Sequence, residues 1–300
     1  MNLTGVLFFP VTPFTAAGEL AEDVLAEHIG RGLEHHPGAV FAACGTGEFP
    51  ALSEAEHAAA VRVAVKTARG RVPVFAGAGG PLGSALAQAR AARDAGADGL
   101  LLMPPYLMKG TPEGFLAYVR EVAAILPTVI YQRGSVVPTP EQAVELARVP
   151  GVIGLKDGLG DIDLIQRTVL AVRREVGDGF MFFNGLPTAE LTMGAYRGIG
   201  VELYSSAVFA FAPDIATAFL NGADRLLTEF YEPLVRLRSK APGYAVSLVK
   251  AGVRLGGLDA GPVRPPLTDA APEDVAELAR LIEHARSIQQ GRSIEQGRAL

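Results

Sequence analysis

Eight short apolar runs recur along the chain, and most are nearly continuous in apolar residues instead of alternating. They are GVLFFPVTPF (Gly5 to Phe14), AVFAACG (Ala39 to Gly45), VPVFAGAG (Val72 to Gly79), DGLLLMPP (Asp98 to Pro105), TVIYQRG (Thr128 to Gly134), GVIGLKDG (Gly151 to Gly158), FMFFNG (Phe180 to Gly185) and VELYSSAVF (Val201 to Phe209). A strand with one wet face alternates apolar and polar residues, whereas a strand buried on both faces does not. The runs therefore read as strands of a parallel sheet covered on both sides.

The segments between the runs carry helix signals. Ser53 with Glu56, and Thr139 with Gln142, have capping-box spacing, and Pro140 stands at a first helical position. Thr111-Pro112-Glu113 opens another helix in the same way, and Gly70, Gly96 and Gly177 fall where helices should stop. Eight strand–helix units, spaced by roughly thirty residues, predict a closed (β/α)8 TIM barrel, an α/β fold, over residues 1–223. An open doubly wound sheet is the alternative, but Pro10-Val11-Thr12-Pro13 does not resemble the glycine-rich phosphate turn such sheets carry after the first strand. Residues 224–300 predict a C-terminal helical domain, with helices near Asp224 to Arg238, Pro242 to Leu255 and Pro272 to Ser287. A polar tail should follow, in which SIQQGR is repeated as SIEQGR over Ser287 to Arg298.

Composition narrows the function classes. Hydrophobic residues make up 49% of the chain, enough for a large core. The net charge of −5 has no basic block, which argues against nucleic acid or an anionic membrane as partner. The lone Cys44 excludes an internal disulfide framework and a cysteine-cluster metal site. Met1 to Phe14 lacks a basic n-region and a small-residue cleavage site, and no run of about 18 apolar residues occurs. A cytoplasmic protein is the expectation.

In barrel enzymes the reactive side chains stand at the C-terminal ends of strands. Of the lysines, Lys66, Lys109, Lys240 and Lys250 fit helices or loops, while Lys156 ends the sixth predicted strand. A desolvated amine there would have a lowered pKa and could attack a ketone to form a Schiff base. The alternative is a lysine paired with Asp157 or a nearby glutamate. Tyr131 ends the neighbouring strand. It could shuttle protons at a carbinolamine, or be a core tyrosine bonded to a backbone carbonyl. The N–H groups of Gly45-Thr46-Gly47 and the Thr46 hydroxyl could hold a carboxylate, or the glycines could simply serve a turn.

Arg133 suits either a substrate carboxylate or a surface salt bridge. Ser205 and Ser206 could bond substrate hydroxyls or terminate a strand. Cys44 reads as core packing, since no histidine is placed to activate it. Asp157, Asp161 and Asp163 read as caps of the following helix, not as metal ligands.

Gly45-Thr46-Gly47-Glu48, Tyr131 after Thr128-Val129-Ile130, Gly154-Leu155-Lys156-Asp157 and the opening Val11-Thr12-Pro13-Phe14 together resemble the dihydrodipicolinate synthase / N-acetylneuraminate lyase family. The resemblance covers essentially the whole chain. It implies a (β/α)8 barrel with a C-terminal helical domain, a homo-oligomer (tetramer or dimer), and a Schiff base from Lys156 to a 2-oxo acid. Ala43 to Phe49, Tyr131-Gln132-Arg133, Asn184-Gly185-Leu186-Pro187, Tyr204 to Phe209 and Gly261 to Leu267 look like the subgroup that dehydrates and decarboxylates 5-dehydro-4-deoxy-D-glucarate.

The subgroup resemblance implies a small sugar diacid as substrate and no cofactor beyond the lysine imine. It also implies a proton shuttle at Tyr131, a C1-carboxylate cradle at Gly45 and Thr46, and Asn184, Ser206 and Arg133 as candidates for the substrate hydroxyls and far carboxylate. One departure stands out. The family usually has two adjacent hydroxyl residues where this chain has Gly45-Thr46, so a relay from the first hydroxyl to Tyr131 cannot run as in the synthases. Thr46, Ser206 or a water would have to complete it. A pyruvate-dependent aldolase and a non-catalytic barrel that binds a 2-oxo acid are the competing readings.

Overall fold

The computed structural model describes residues 3–106 and 110–298, with side chains through 289. Lys109 lies outside the described residues. Strands β1 to β8 are Val6–Phe8, Ala39–Ala42, Val74–Ala78, Gly99–Leu102, Thr128–Gln132, Val152–Asp157, Met181–Asn184 and Leu203–Ser206. Each pairs in parallel with the next and β8 pairs with β1, which closes the barrel. Helices α1 to α8 are Glu22–Leu33, Glu54–Ala68, Leu82–Ala95, Pro112–Ala123, Pro140–Ala147, Ile162–Glu175, Met193–Gly198 and Pro213–Leu220, one after each strand. The strands are shorter than the apolar runs because each run continues past the ladder into the loop at the barrel mouth.

The helix signals act as their chemistry dictates. Ser53 Oγ accepts from Glu56 N at 3.3 Å while Glu56 Oε2 accepts from Ser53 N at 2.9 Å. Thr139 and Gln142 repeat the exchange at 3.3 and 2.9 Å. Thr111 caps α4 through Gly114 N at 3.2 Å, and Gly96 ends α3 at a φ of 87°.

Side-chain parity divides the barrel into two apolar layers. Leu7, Phe41, Phe75, Leu101, Val129, Phe183 and Leu203 fill the interior. Phe8, Val40, Leu100, Ile130, Leu155 and Tyr204 face outward against the helices. The aromatic members of the interior pack together: Phe9 stacks on Phe41 at 4.6 Å between centroids and Phe41 on Phe75 at 4.7 Å, with Phe183 edge-on at 6.4 Å.

After α8 a π-helical turn, Leu227–Tyr231, runs into α9 (Glu232–Arg238), and α10 (Tyr244–Leu255) and α11 (Pro272–Arg298) follow. The helix expected over 224–238 is thus regular only in its second half. Ser287 to Arg298, expected beyond the helix end, continues α11 as helical backbone. Gln, Glu and Arg favour a helix, and a glycine within one costs only ~1 kcal/mol, so nothing in this stretch compels a stop. Among the described residues no helix is long and apolar enough to cross a membrane.

The segment after α10 returns to the barrel mouth. Phe14 N donates to Ala260 O at 3.1 Å. At Gly261 (φ 65°) a Cβ would lie 1.8 Å from Phe14 O, so only glycine lets the two backbones meet. Nearby, Glu48 Oε1 accepts from Lys250 Nζ at 2.8 Å and Glu48 Oε2 from Arg264 N at 2.8 Å, with both charged side chains of the pair fully buried.

Candidate active site

The C-terminal strand ends and the segments carrying Arg238, Val246 and Leu267 enclose a cavity of about 560 Å3, which is within the range of small-ligand sites. At its base stands Lys156, 6% exposed. Strand parity puts Gly154 and Lys156 inward and Leu155 and Asp157 outward. Lys156 Nζ lies 3.9 Å from the centre of the Phe9 ring and 4.7 Å from that of Tyr131. Among the described residues it makes no hydrogen bond or ion pair. Burial on this aromatic floor draws its pKa down to about 7, with Cys44 opposing that fall and the Arg133 guanidinium adding to it. Cys44, also inward-facing, offers no anionic partner, since burial pushes its thiol up to about 12.

The pairing of Lys156 with Asp157, one of the alternatives open in the sequence, does not occur. Asp157 is held on the outer face by Gln132 Nε2 at 3.2 Å, Leu159 N at 3.0 Å, Gly160 N at 3.3 Å and the Tyr196 hydroxyl. Asp161 caps α6 through Leu164 N at 3.0 Å, and Asp163 pairs with Arg167. Among the described residues no three His, Cys, Asp or Glu side chains are grouped to hold a metal ion.

Tyr131 is in register with Lys156 across β5 and β6. Its hydroxyl donates to Gly185 O at 3.0 Å and accepts from Arg133 Nη1 at 2.8 Å. Burial raises its pKa and the Arg133 guanidinium opposes that rise. Gly158 and Gly185 are close-packing positions. A Cβ at Gly158 would lie 2.7 Å from Tyr131 Cε2, and one at Gly185 only 2.5 Å from Lys156 Cε. The two glycines leave the tyrosine and lysine side chains room to occupy their places.

Gly45 and Thr46 line the cavity on the β2 side. Among the described residues their N–H groups and the Thr46 hydroxyl donate to no protein acceptor, although the Gly45 carbonyl accepts from Glu48 N at 3.2 Å. The turn is pinned from behind by Thr12 Oγ1, which donates to Gly47 O at 2.6 Å, and by the buried Glu48–Lys250 pair. Among the described residues the turn so held leaves the N–H groups of Gly45 and Thr46 without a protein partner beside the cavity.

Lys156, Tyr131, Gly45, Thr46 and Arg133 therefore converge on one cavity. Asn184 and Ser206, also expected there, do not. Asn184 is fully buried on the outer face, donating to Ala189 O at 3.0 Å and Thr192 Oγ1 at 2.8 Å, and its Oδ1 accepts from Leu186 N at 3.3 Å. Ser206 Oγ donates to Glu190 Oε1 and accepts from Phe209 N at 2.9 Å. Their inward neighbours Gly185 and Ser205 line the cavity instead, and a relay from Ser206 to Tyr131 is ruled out by the intervening sheet. The physical reason is the two-residue period, which sends adjacent side chains to opposite faces.

Sequence reasoning passed over Phe9 and the cavity-lining Arg238 and Arg264. Phe9 had a usable signal, being one strand residue out of phase with the outward Phe8. Arg264 stood within the Gly261 to Leu267 segment that the subgroup resemblance had marked, whereas Arg238 had no signal, because only tertiary packing brings the C-terminal segments over the mouth.

Comparison with known proteins agrees with this architecture. The profile of the dihydrodipicolinate synthetase family matches residues 2–285. A protein of Streptomyces avermitilis named "Probable 5-dehydro-4-deoxyglucarate dehydratase 1" is 58% identical over 290 residues, covering 93% of each chain. A protein of the same name from Streptomyces coelicolor is 57% identical over 291 residues, covering 93% of this chain and 92% of the other. Among solved structures, dihydrodipicolinate synthase from Bacillus clausii superposes with a TM-score of 0.85 at 24% identity, over 95% of this chain and 98% of that one. With a profile match over nearly its whole length, relatives above half identity and a barrel of the same shape, this chain belongs to the dihydrodipicolinate synthetase family.

Proposed function

We propose that the chain is a lyase that converts 5-dehydro-4-deoxy-D-glucarate to 2,5-dioxopentanoate, water and carbon dioxide through a Schiff base on Lys156. The observation that carries this reading is the buried Lys156 amine, unpaired among the described residues and facing a cavity of about 560 Å3. Relatives named for that substrate at 57–58% identity support the choice of reaction. With its pKa near 7, a large share of the amine is neutral and nucleophilic at physiological pH.

Substrate carbons are numbered here from the 2-oxo end. Lys156 adds to C2, and the carbinolamine loses water to give the iminium. Loss of a C3 proton gives an enamine, which expels the C4 hydroxyl as water and becomes a conjugated iminium. That iminium draws in the C5–C6 bonding pair, so C6 leaves as carbon dioxide and a dienamine remains. Protonation at C4 turns the C5 enol into the aldehyde, protonation at C3 restores the iminium, and water frees Lys156. The imine is the electron sink, so the sequence of steps calls for no metal or other cofactor.

Tyr131 is the proton shuttle at the carbinolamine. Arg133, bonded to its hydroxyl at 2.8 Å, favours the phenolate and thereby eases proton donation. The free N–H groups of Gly45 and Thr46 receive the C1 carboxylate, with the Thr46 hydroxyl beside them. The family resemblance further supports a cytoplasmic homo-oligomer, tetramer or dimer, which light scattering would establish.

The test is borohydride reduction in the presence of 5-dehydro-4-deoxyglucarate and, separately, of pyruvate, with peptide mapping and a carbon dioxide assay. The expected result is an adduct of the six-carbon diacid on Lys156 together with carbon dioxide release. An adduct with pyruvate alone would replace this reading with an aldolase.

A further inference from the structure

The cavity wall carries three guanidinium groups in unequal circumstances. Arg264 is paired with Glu56 and stacks on Phe14 at 3.9 Å. Arg133 donates to Tyr131 at the reacting end of the cavity. Arg238, the last residue of α9, is 9% exposed and has no carboxylate within ion-pair distance among the described residues. Its Nη1 donates to Pro187 O and, at 2.8 Å, to Thr188 Oγ1. Its Nη2 donates to Ala245 O at 2.7 Å. Of the five N–H donors of a guanidinium, that leaves Nε–H and one Nη2–H unspent; Nε is sealed off without a partner, so what Arg238 brings to the cavity it lines is its uncompensated charge and the remaining Nη2–H.

A buried cation without a counterion is costly unless something else supplies the charge. The nearest acid influencing it is Glu190, whose own carboxyl is pushed up to about 7 by burial and is bonded to Ser206, so it offers only part of a negative charge.

Position along the cavity adds a second argument. Gly185 packs against the Lys156 stem, and Arg238 grips the carbonyl of Pro187 two residues further on, at most ~7 Å along the chain. In the proposed substrate the C6 carboxylate lies four carbon–carbon bonds beyond the C2 atom that Lys156 holds. We infer that Arg238 is the residue that recognises the distal carboxylate, and that it makes the cavity selective for 2-oxo diacids over 2-oxo monoacids. This rests on the substrate class proposed above. Because C6 departs as neutral carbon dioxide, a guanidinium that stabilises its charge aids binding and not bond cleavage, so the cost of losing Arg238 falls on KM more than on kcat.

The test compares 2-oxoadipate with 2-oxohexanoate, which has a methyl group in place of the C6 carboxylate, by titration calorimetry on the full chain. The wild type should bind the diacid about 10- to 100-fold more tightly, the scale of hydrogen bonds to a charged group. Arg238→Gln should lose at least about 10-fold on the diacid while the monoacid changes less than about 3-fold. Should Arg238→Gln fail to fold by circular dichroism, Arg238→Lys, which keeps the charge but not the fork, should lose several-fold on the diacid alone.

A wild type with no preference, a variant that keeps the preference, or equal losses on both acids would overturn the inference, the last by making Arg238 a strut only. The two readings fail separately. Diacid selectivity without carbon dioxide release from 5-dehydro-4-deoxyglucarate removes the reaction and leaves the subsite. Carbon dioxide release by Arg238→Gln at an unchanged KM does the reverse.

Discussion

Among the described residues two lysines are buried, and their surroundings could hardly differ more. Lys250 of α10 is fully buried and saturated: Glu48 accepts from it at 2.8 Å, Pro262 O at 2.7 Å, and the Phe14 ring centre lies 4.2 Å away. Lys156 of β6 has aromatic rings at 3.9 and 4.7 Å and no polar partner among the described residues. The first fastens the C-terminal segment to the turn behind Gly45 and Thr46. The second is left with an amine near its neutral form, facing a cavity. Burial lowers the pKa of both, but at Lys250 the hydrogen bond and charge of Glu48 pull back. The contrast teaches that burial alone does not make a nucleophile. A buried amine becomes one when the fold withholds its counterion.

The sharpest way to break this contrast is to remove each amine. Lys156→Ala should abolish imine trapping and reduce turnover below about 1% of wild type with the fold intact, as loss of a covalent nucleophile requires. Lys250→Met should strand Glu48 without its partner and cost about 3–5 kcal/mol of stability, read from denaturant unfolding, while any folded fraction still forms the adduct. A trapped adduct in Lys156→Ala, or its loss in a folded Lys250→Met, would invert the roles.

Tyr131→Phe comes next. It should lower turnover by about 10²-fold, with the slowed step being imine formation in rapid-quench trapping. A near-wild-type rate would take the phenol out of the proton transfers.

Gly185→Ala should come third, at about 10-fold or more in kcat, because the new methyl meets the Lys156 stem and the amine must shift. Unchanged trapping kinetics would show that the stem has slack.

The smallest effect is one of pH. Below its folded pKa the Lys156 amine is protonated and unreactive, so the trapping rate should climb through about pH 7 and level off above it. An unburied lysine would keep climbing toward its ordinary value near 10.5. A midpoint there would mean that the aromatic floor does not desolvate the amine.

Much of this could be read in the chain. Continuous apolar runs gave the buried parallel strands, capping residues gave the helix starts, and the strand-end rule picked Lys156, Tyr131, Gly45, Thr46 and Arg133 from a long roll of polar residues. The misses at Asn184 and Ser206 share a cause. Both were selected from strand ends by residue type, and a shift of one residue exchanges inside for outside. Lys156 fixed the phase of β6. The register Asp157↔Asn184 and Asn184↔Tyr204 then carries that phase to β7 and β8, leaving Gly185 and Ser205 on the inner side.

The sequence by itself determined the periodic elements and the order of the strand-end residues, because both depend on chemistry within a few positions along the chain. Tertiary structure alone decided which of two neighbouring side chains enters the barrel, that among the described residues Lys156 has no counterion while Lys250 has one, and that Arg238 from α9 reaches the wall of a cavity built on the C-terminal strand ends. Those outcomes depend on contacts between segments more than two hundred residues apart, as between Glu48 and Lys250. Burial and pairing at such distances are properties of the closed barrel and its returning C-terminal segment, and no local pattern encodes them.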